Sequence, residues 1–162
     1  MVHRNLRARL FIAVIFTLGL LPVSGASAQT ANDATGWWLD QTGRAAIKIT
    51  PCGSNLCGNI EWLRQPLDEA GQPKTDTENA DPSLRTRHIC GLPMMGNFSA
   101  DGTGKWSGGW IYDPEKGKTY KSEMHLASDG TLRVRGYIGT PMLGRTETWT
   151  RPSTPLTPCA SS

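Results

Sequence analysis

The chain has 162 residues and carries 17 Lys plus Arg against 14 Asp plus Glu, but three of those cations and none of the anions fall within the first 28 residues. The rest balances at 14 against 14. That balance weakens the case for nucleic acid or an anionic membrane as partner, since both attract a basic excess, and the remaining 134 or so residues suffice for one domain with a modest core.

The N-terminus has three parts. Arg4, Arg7 and Arg9 open it, Leu10 to Leu21 form a nearly unbroken apolar run, and Ala26-Ser27-Ala28 follows the helix-breaking Pro22. This is the pattern of a cleavable signal peptide over residues 1–28. Twelve apolar residues at about 1.5 Å each span about 18 Å, short of the roughly 30 Å hydrocarbon core of a bilayer. The first cysteine is Cys52, so no lipid-anchored N-terminus is expected, and Ala8 interrupts any twin-arginine pair. The expected product is a periplasmic or secreted protein, exported by the general secretory route without a stable membrane anchor. After a linker at 29–35, one barrel domain is expected over 36–151, then a Pro-rich tail at 152–162.

Past the leader, strand alternation replaces helical periodicity. Ala45, Ile47 and Ile49 face one way while Arg44, Lys48 and Thr50 face the other; the same pattern runs through Tyr120, Ser122, Met124 and Leu126, and through Leu132, Val134, Gly136 and Ile138. Eight strands are expected, at about 36–41, 44–51, 57–63, 92–98, 105–112, 118–126, 131–138 and 144–151. Most linkers are short and contain Asn55, Asp101-Gly102, Glu115-Lys116-Gly117 or Asp129-Gly130, which are hairpin turn residues. The fold class is therefore all-β, an eight-stranded antiparallel up-and-down barrel, which removes exposed sheet edges.

Cys52 and Cys57 flank Gly53-Ser54-Asn55-Leu56 between two strand runs, so a hairpin there would bring the thiols into disulfide range. Cys90 and Cys159 then pair by elimination, although four cysteines allow other connectivities. A metal site is the rival reading. The Cys-x4-Cys spacing is wider than a zinc knuckle's, and only His88 and His125 remain as further ligands, so no metal is expected.

Residues 64–91 stand apart as a long segment rich in Asp, Asn, Pro and Arg. Such a loop in a small domain is usually functional or mobile. Within it Asn79, Arg85 and Arg87, with Asp76 and Asp81, could hold an anion or a hard cation. The competing reading is a loop that caps itself, with Arg85 and Arg87 paired to Asp76 or Asp113.

Taken in order, Cys57-Gly58, the stretch from Asp76 to Arg87, Gly109-Trp110-Ile111-Tyr112-Asp113-Pro114, Gly117-Lys118-Thr119-Tyr120, Gly136-Tyr137-Ile138-Gly139 and Gly144-Arg145 through Arg151 resemble the uncharacterised bacterial exported family known as domain of unknown function 2147. The resemblance covers about residues 36–151. Cys90 departs from it, standing where an apolar residue is expected. It implies an envelope location and a lipocalin-like (calycin-like) barrel, and it implies no activity. Gly36-Trp37-Trp38 adds a Gly-x-Trp at the first strand, and Arg151 ends the last strand. In lipocalins such an arginine lies across such an indole, so Trp38 and Arg151 are expected to seal one barrel end.

The opposite end is then where a ligand would enter. Trp106, Trp110 and Tyr112 of the fifth strand, Tyr120 and Ser122 of the sixth, and Arg145 near the last strand are the candidates there. Aromatic walls suit a small amphipathic or aromatic ligand, although strands of about seven residues enclose little volume and a filled core is the competing expectation. No Ser-His-Asp set, phosphate loop or carboxylate dyad is evident, so neither a catalytic residue nor a cofactor is assigned. The leading reading is a soluble, non-catalytic binding or envelope-maintenance module. The alternatives are a protein-interaction module, with an envelope protein docking on the 64–91 loop, and more remotely a Cys/His enzyme built on Cys90 and His88.

Overall fold

The computed structural model describes residues 33–159. The expected signal peptide, the start of the 29–35 linker and the final three residues lie outside the described residues.

Eight strands run in chain order, β1 (Gly36–Leu39), β2 (Ala45–Cys52), β3 (Asn55–Leu63), β4 (Pro93–Ala100), β5 (Lys105–Asp113), β6 (Lys118–Leu126), β7 (Leu132–Tyr137) and β8 (Arg145–Trp149). Their limits fall within two residues of the sequence expectation. Each strand pairs antiparallel with the next in a single eight-stranded sheet. The sheet closes where Leu39 meets Thr150, each backbone N–H donating to the other's carbonyl at 2.8 and 3.1 Å. The result is a nearly closed up-and-down barrel.

The topology gives the barrel two unlike ends. The floor carries the short β2–β3, β4–β5 and β6–β7 turns. The rim carries the β1–β2 turn, the β5–β6 turn, the β7–β8 connection and the long segment from residue 64 to residue 92.

Inward-facing side chains fill the interior. Trp38, Phe98, Trp106 and Trp149 are at most 6% exposed and pack with Ile47, Ile49, Met95, Met124, Leu132 and Val134 in one core. Short strands around four large rings leave the middle of the barrel solid, the outcome small eight-stranded barrels favour. Trp38 donates its Nε1 hydrogen to the Ala34 carbonyl at 2.8 Å. Above its ring sits the Arg151 guanidinium, 3.7 Å from the centroid. Arg151 also donates to the carbonyls of Thr35, Trp37 and Asp33 at 2.8–3.2 Å. Desolvation lowers the pKa of Arg151, with Asp33 acting in the opposite sense.

Cys52 bonds to Cys57 across the β2–β3 turn, and Cys90 bonds to Cys159, fixing the tail to the long segment. In this form Cys90 offers no thiolate, which a Cys/His nucleophile requires.

Strand β5 departs from the expected alternation. Trp106 pairs with Met124, but the next inward pair is Gly109 with Ser122, so the register shifts between them. Gly108 takes up the shift at φ 71°, a left-handed value glycine adopts without strain. Beyond this bulge Gly109 and Ile111 face the core, while Trp110 and Tyr112 face outward. Trp110 pairs with Gly96 and its ring covers that glycine, where a Cβ would lie 2.9 Å from the indole. The expectation that Trp106, Trp110 and Tyr112 share the interior is therefore corrected, because one inserted residue inverts every side chain after it.

Two substitutions test the closure and the packing. Arg151→Ala should lower unfolding free energy by about 2–3 kcal/mol in urea titration, from the stacking and the charged hydrogen bonds lost. Arg151→Lys should recover less than half, because an ammonium cannot serve three carbonyls as a planar fork does. Gly109→Ala would place a Cβ 2.6 Å from the Phe98 ring and should destabilise by about 1–3 kcal/mol through overpacking.

Candidate functional site

The long segment lies against the outer face of β5 and β6 at the rim, held there by a buried carboxylate. Asp76 is fully buried. It accepts from the Tyr112 hydroxyl at 2.7 and 2.9 Å, from Asn79 Nδ2 at 2.7 Å and from Arg87 Nε at 2.9 Å, while Arg87 Nη2 lies 2.8 Å from the same carboxylate. The Arg87 guanidinium also sits 5.3 Å from the Tyr112 ring centroid. The backbone reinforces the clamp, since Asp76 N–H donates to the Arg87 carbonyl and Asn79 N–H to the Asp76 carbonyl.

Packing fixes the same contact from the strand side. At Gly117, in the β5–β6 turn, a Cβ would fall 1.8 Å from the Glu78 carbonyl oxygen, so only glycine lets the segment approach this closely. A second apolar cluster of Ile60, Leu92 and Tyr112, with Ile89, Met94 and Trp110 against it, seats the rest of the segment.

Between the segment and the strands runs an open groove of about 670 Å³ lined by Asn79, Ala80, Asp81, Leu84, Arg87, Pro93, Trp110, Tyr112, Gly117 and Thr119. Five sequence candidates, Asn79, Asp81, Arg87, Trp110 and Tyr112, meet in this groove. The others do not. Trp106 is a core side chain. Arg85 donates Nε to the Asn79 carbonyl and braces the loop from behind. Tyr120 pairs with Ile111 on the inward face of β6, and Arg145 pairs with Gly136 on β8, so both sit around the rim from the groove. Ser122 is buried and donates to the Arg135 carbonyl.

The anion- and cation-binding readings of the acidic stretch give way to self-capping. Every Asp76 contact is internal, Asp81 caps Ser83, and Asn79 Oδ1 accepts from Asp81 N–H. Leu84, Pro93 and Thr119 line the groove without having been singled out in the sequence. Thr119 was readable, since it pairs with Tyr112 once the bulge is admitted. Among the described residues no group of three or more His, Cys, Asp and Glu is placed to hold a metal ion, and no helix is long and apolar enough to cross a membrane.

The family model described as an uncharacterised protein conserved in bacteria, domain of unknown function 2147, matches residues 36–151. Among solved structures, a protein from the human pathogen Helicobacter pylori, described as belonging to the lipocalin family, superposes with a TM-score of 0.63 at 24% identity, over 75% of this chain and 84% of its own. Identity that low speaks for a shared fold alone. No curated protein matches the chain.

Tyr112→Phe isolates the clamp. It removes a donor from a buried carboxylate and an acceptor from Asn79, and should lower stability by about 2 kcal/mol near neutral pH. Burial, then the hydrogen bond to Asp76, raises the Tyr112 pKa above its ordinary value of 10.0. The unfolded chain therefore gives up this proton first, so the hydroxyl's contribution is complete below pH 10 and declines above it. Urea midpoints measured from pH 7 to 11 should show the gap between wild type and Tyr112→Phe narrowing above pH 10.

Proposed function

The chain belongs to this bacterial family of uncharacterised proteins, and we propose that it is a non-catalytic binding module of an oxidising extracytoplasmic compartment, taking its ligand on the outer surface of the barrel. One observation carries this reading. The interior that lipocalin-like barrels offer a ligand is occupied by Trp38, Phe98, Trp106 and Trp149, whereas the rim groove lies open.

The groove suits a small amphipathic or aromatic molecule. Trp110 presents a half-buried indole as a flat apolar wall. Arg87 is anchored to Asp76 yet its side chain stays 35% exposed, so it can donate to a polar edge of the ligand. A rigid wall with few polar groups orders little on binding. The compartment follows from the expected leader over 1–28 and from the two disulfides, which persist where thiols are not kept reduced. No catalytic residue is assigned.

A second reading has an observation of its own. Leu67 and Leu84 of the long segment are 50% and 39% exposed, which suits an envelope protein docking on that segment.

Native mass spectrometry of the purified protein after incubation with envelope extract separates the two. The expected result is a small-molecule adduct that Trp110→Ala loses and Arg145→Ala keeps. A bare protein mass in every extract, or an adduct indifferent to Trp110→Ala, would sink the groove reading. An adduct of protein size, lost on Leu84→Asp, would favour the partner instead.

A further inference from the structure

The β7–β8 connection holds three large apolar side chains in water. Ile138 is 70% exposed, Met142 90% and Leu143 81%. The connection is braced in this position. Pro141–Leu143 form a single 3-10 turn, with Leu143 N–H donating to the Thr140 carbonyl and Gly144 N–H to the Pro141 carbonyl. Arg135 donates Nε to the Pro141 carbonyl at 2.6 Å and Nη2 to the Met142 carbonyl at 3.4 Å. Gly144 packs onto β7 so closely that a Cβ would lie 2.7 Å from the Gly136 carbonyl. Two arginine hydrogen bonds thus hold a turn whose apolar side chains stay exposed among the described residues.

Cations surround its base. Lys118 and Lys121 lie on β6, Arg135 on β7 and Arg145 on β8. Lys121 pairs directly with Tyr137 and Arg145 with Gly136, one strand position from the loop. Among the described residues Lys118, Lys121, Arg135 and Arg145 make no ion pair. The carboxylates facing these cations are Glu123, opposite Arg135, and Asp113, opposite Lys118 and ion-paired to Lys116, while Glu147 accepts from Trp149 Nε1 on the inner face. The balance of 14 against 14 beyond residue 28 therefore conceals a local excess.

We propose that the Ile138–Leu143 loop inserts into the interface of an anionic phospholipid bilayer, with Lys118, Lys121, Arg135 and Arg145 against the headgroups. Charge complementarity and size select this occupant. Three side chains on one loop expose on the order of a few hundred Å², below the roughly 800 Å² per partner of a stable protein interface. Shallow insertion needs only a few apolar side chains flanked by cations. Binding of this kind is reversible, and it would turn the barrel rim first toward the lipid.

The test is co-sedimentation with vesicles, using protein exported and purified with its mass showing residues 1–28 removed, so that the apolar run 10–21 takes no part. Wild type should pellet with vesicles of phosphatidylglycerol and phosphatidylcholine at least about tenfold more strongly than with phosphatidylcholine alone. Met142→Ser with Leu143→Ser should weaken that binding at least about tenfold, with an unchanged urea midpoint because both side chains are exposed. Lys118→Gln with Lys121→Gln should weaken it on anionic vesicles only, in a salt-dependent way. Wild type remaining in the supernatant with anionic vesicles, or pelleting no better than the Met142→Ser/Leu143→Ser variant, overturns the proposal. So does a concentration-dependent dimer that the same double variant abolishes while vesicle binding is absent.

Discussion

Strand β1 has four residues, yet it must close an eight-stranded barrel. Its backbone meets the last strand through one bridge, Leu39 with Thr150. Two hydrogen bonds are little to hold a seam, so side chains carry the closure. Arg151 extends the last strand by its guanidinium, stacks on Trp38 of β1 and collects three carbonyls of residues 33–37. Both ends of the sheet are pinned to one cation. Because Trp38 must lie inward to meet that cation, its indole occupies the floor of the barrel. Trp149, just before Arg151, lies inward by the same alternation. Closure and filling are thus one constraint, and the barrel gives up its lumen to satisfy it.

With the interior solid, the position of the long segment determines what surface remains. The clamp at Asp76 is not a strong source of stability by its nature. Taking a carboxylate and a guanidinium from water offsets much of what their attraction returns. Its value is specificity, since a carboxylate with donors from Tyr112, Asn79 and Arg87 has one low-energy arrangement. Those donors come from β5 and from both ends of the 76–87 stretch, so satisfying one buried charge fixes the segment against the strand.

Much of the barrel was legible in the sequence because strand period and turn chemistry are local signals. Ala45, Ile47 and Ile49 alternate with charged neighbours, and Asp129-Gly130 marks a turn, whatever the rest of the chain does. The hairpin disulfide between Cys52 and Cys57 was legible for the same reason, being six consecutive residues long. The pairing of Trp38 with Arg151 spans the chain and became readable only through a resemblance. The groove was half legible. Asn79 and Arg87 were named on the long segment, whereas Trp110 and Tyr112 were named for the interior rather than the outer face. The error has a single source at Gly108, whose positive φ carries the extra residue of the bulge. Two adjacent glycines signalled an irregularity there without saying that the alternation would invert. The Arg87–Asp76 pair was among the local readings, but the burial of Asp76 was not, because a buried carboxylate looks like a solvated one until its partner Tyr112, far along the chain, is known to face it.

An antiparallel barrel with tight turns at one end concentrates its freedom at the other. Here the floor is sealed by Arg151 and stapled near Cys52 and Cys57, and its turns are short. The rim holds the segment from residue 64 to residue 92, the 138–144 connection and the second disulfide, which ties the tail at Cys159 to Cys90. That bond closes a long stretch of chain into a loop and keeps the outer wall of the groove from drifting. The rim therefore combines rigidity with irregular backbone. The lipocalin-like fold here is a solid post whose irregular backbone is gathered at the rim. A homologue with the same eight strands but a different 64–92 segment would keep the post and lose the groove, so family membership alone predicts the fold better than the surface around its rim.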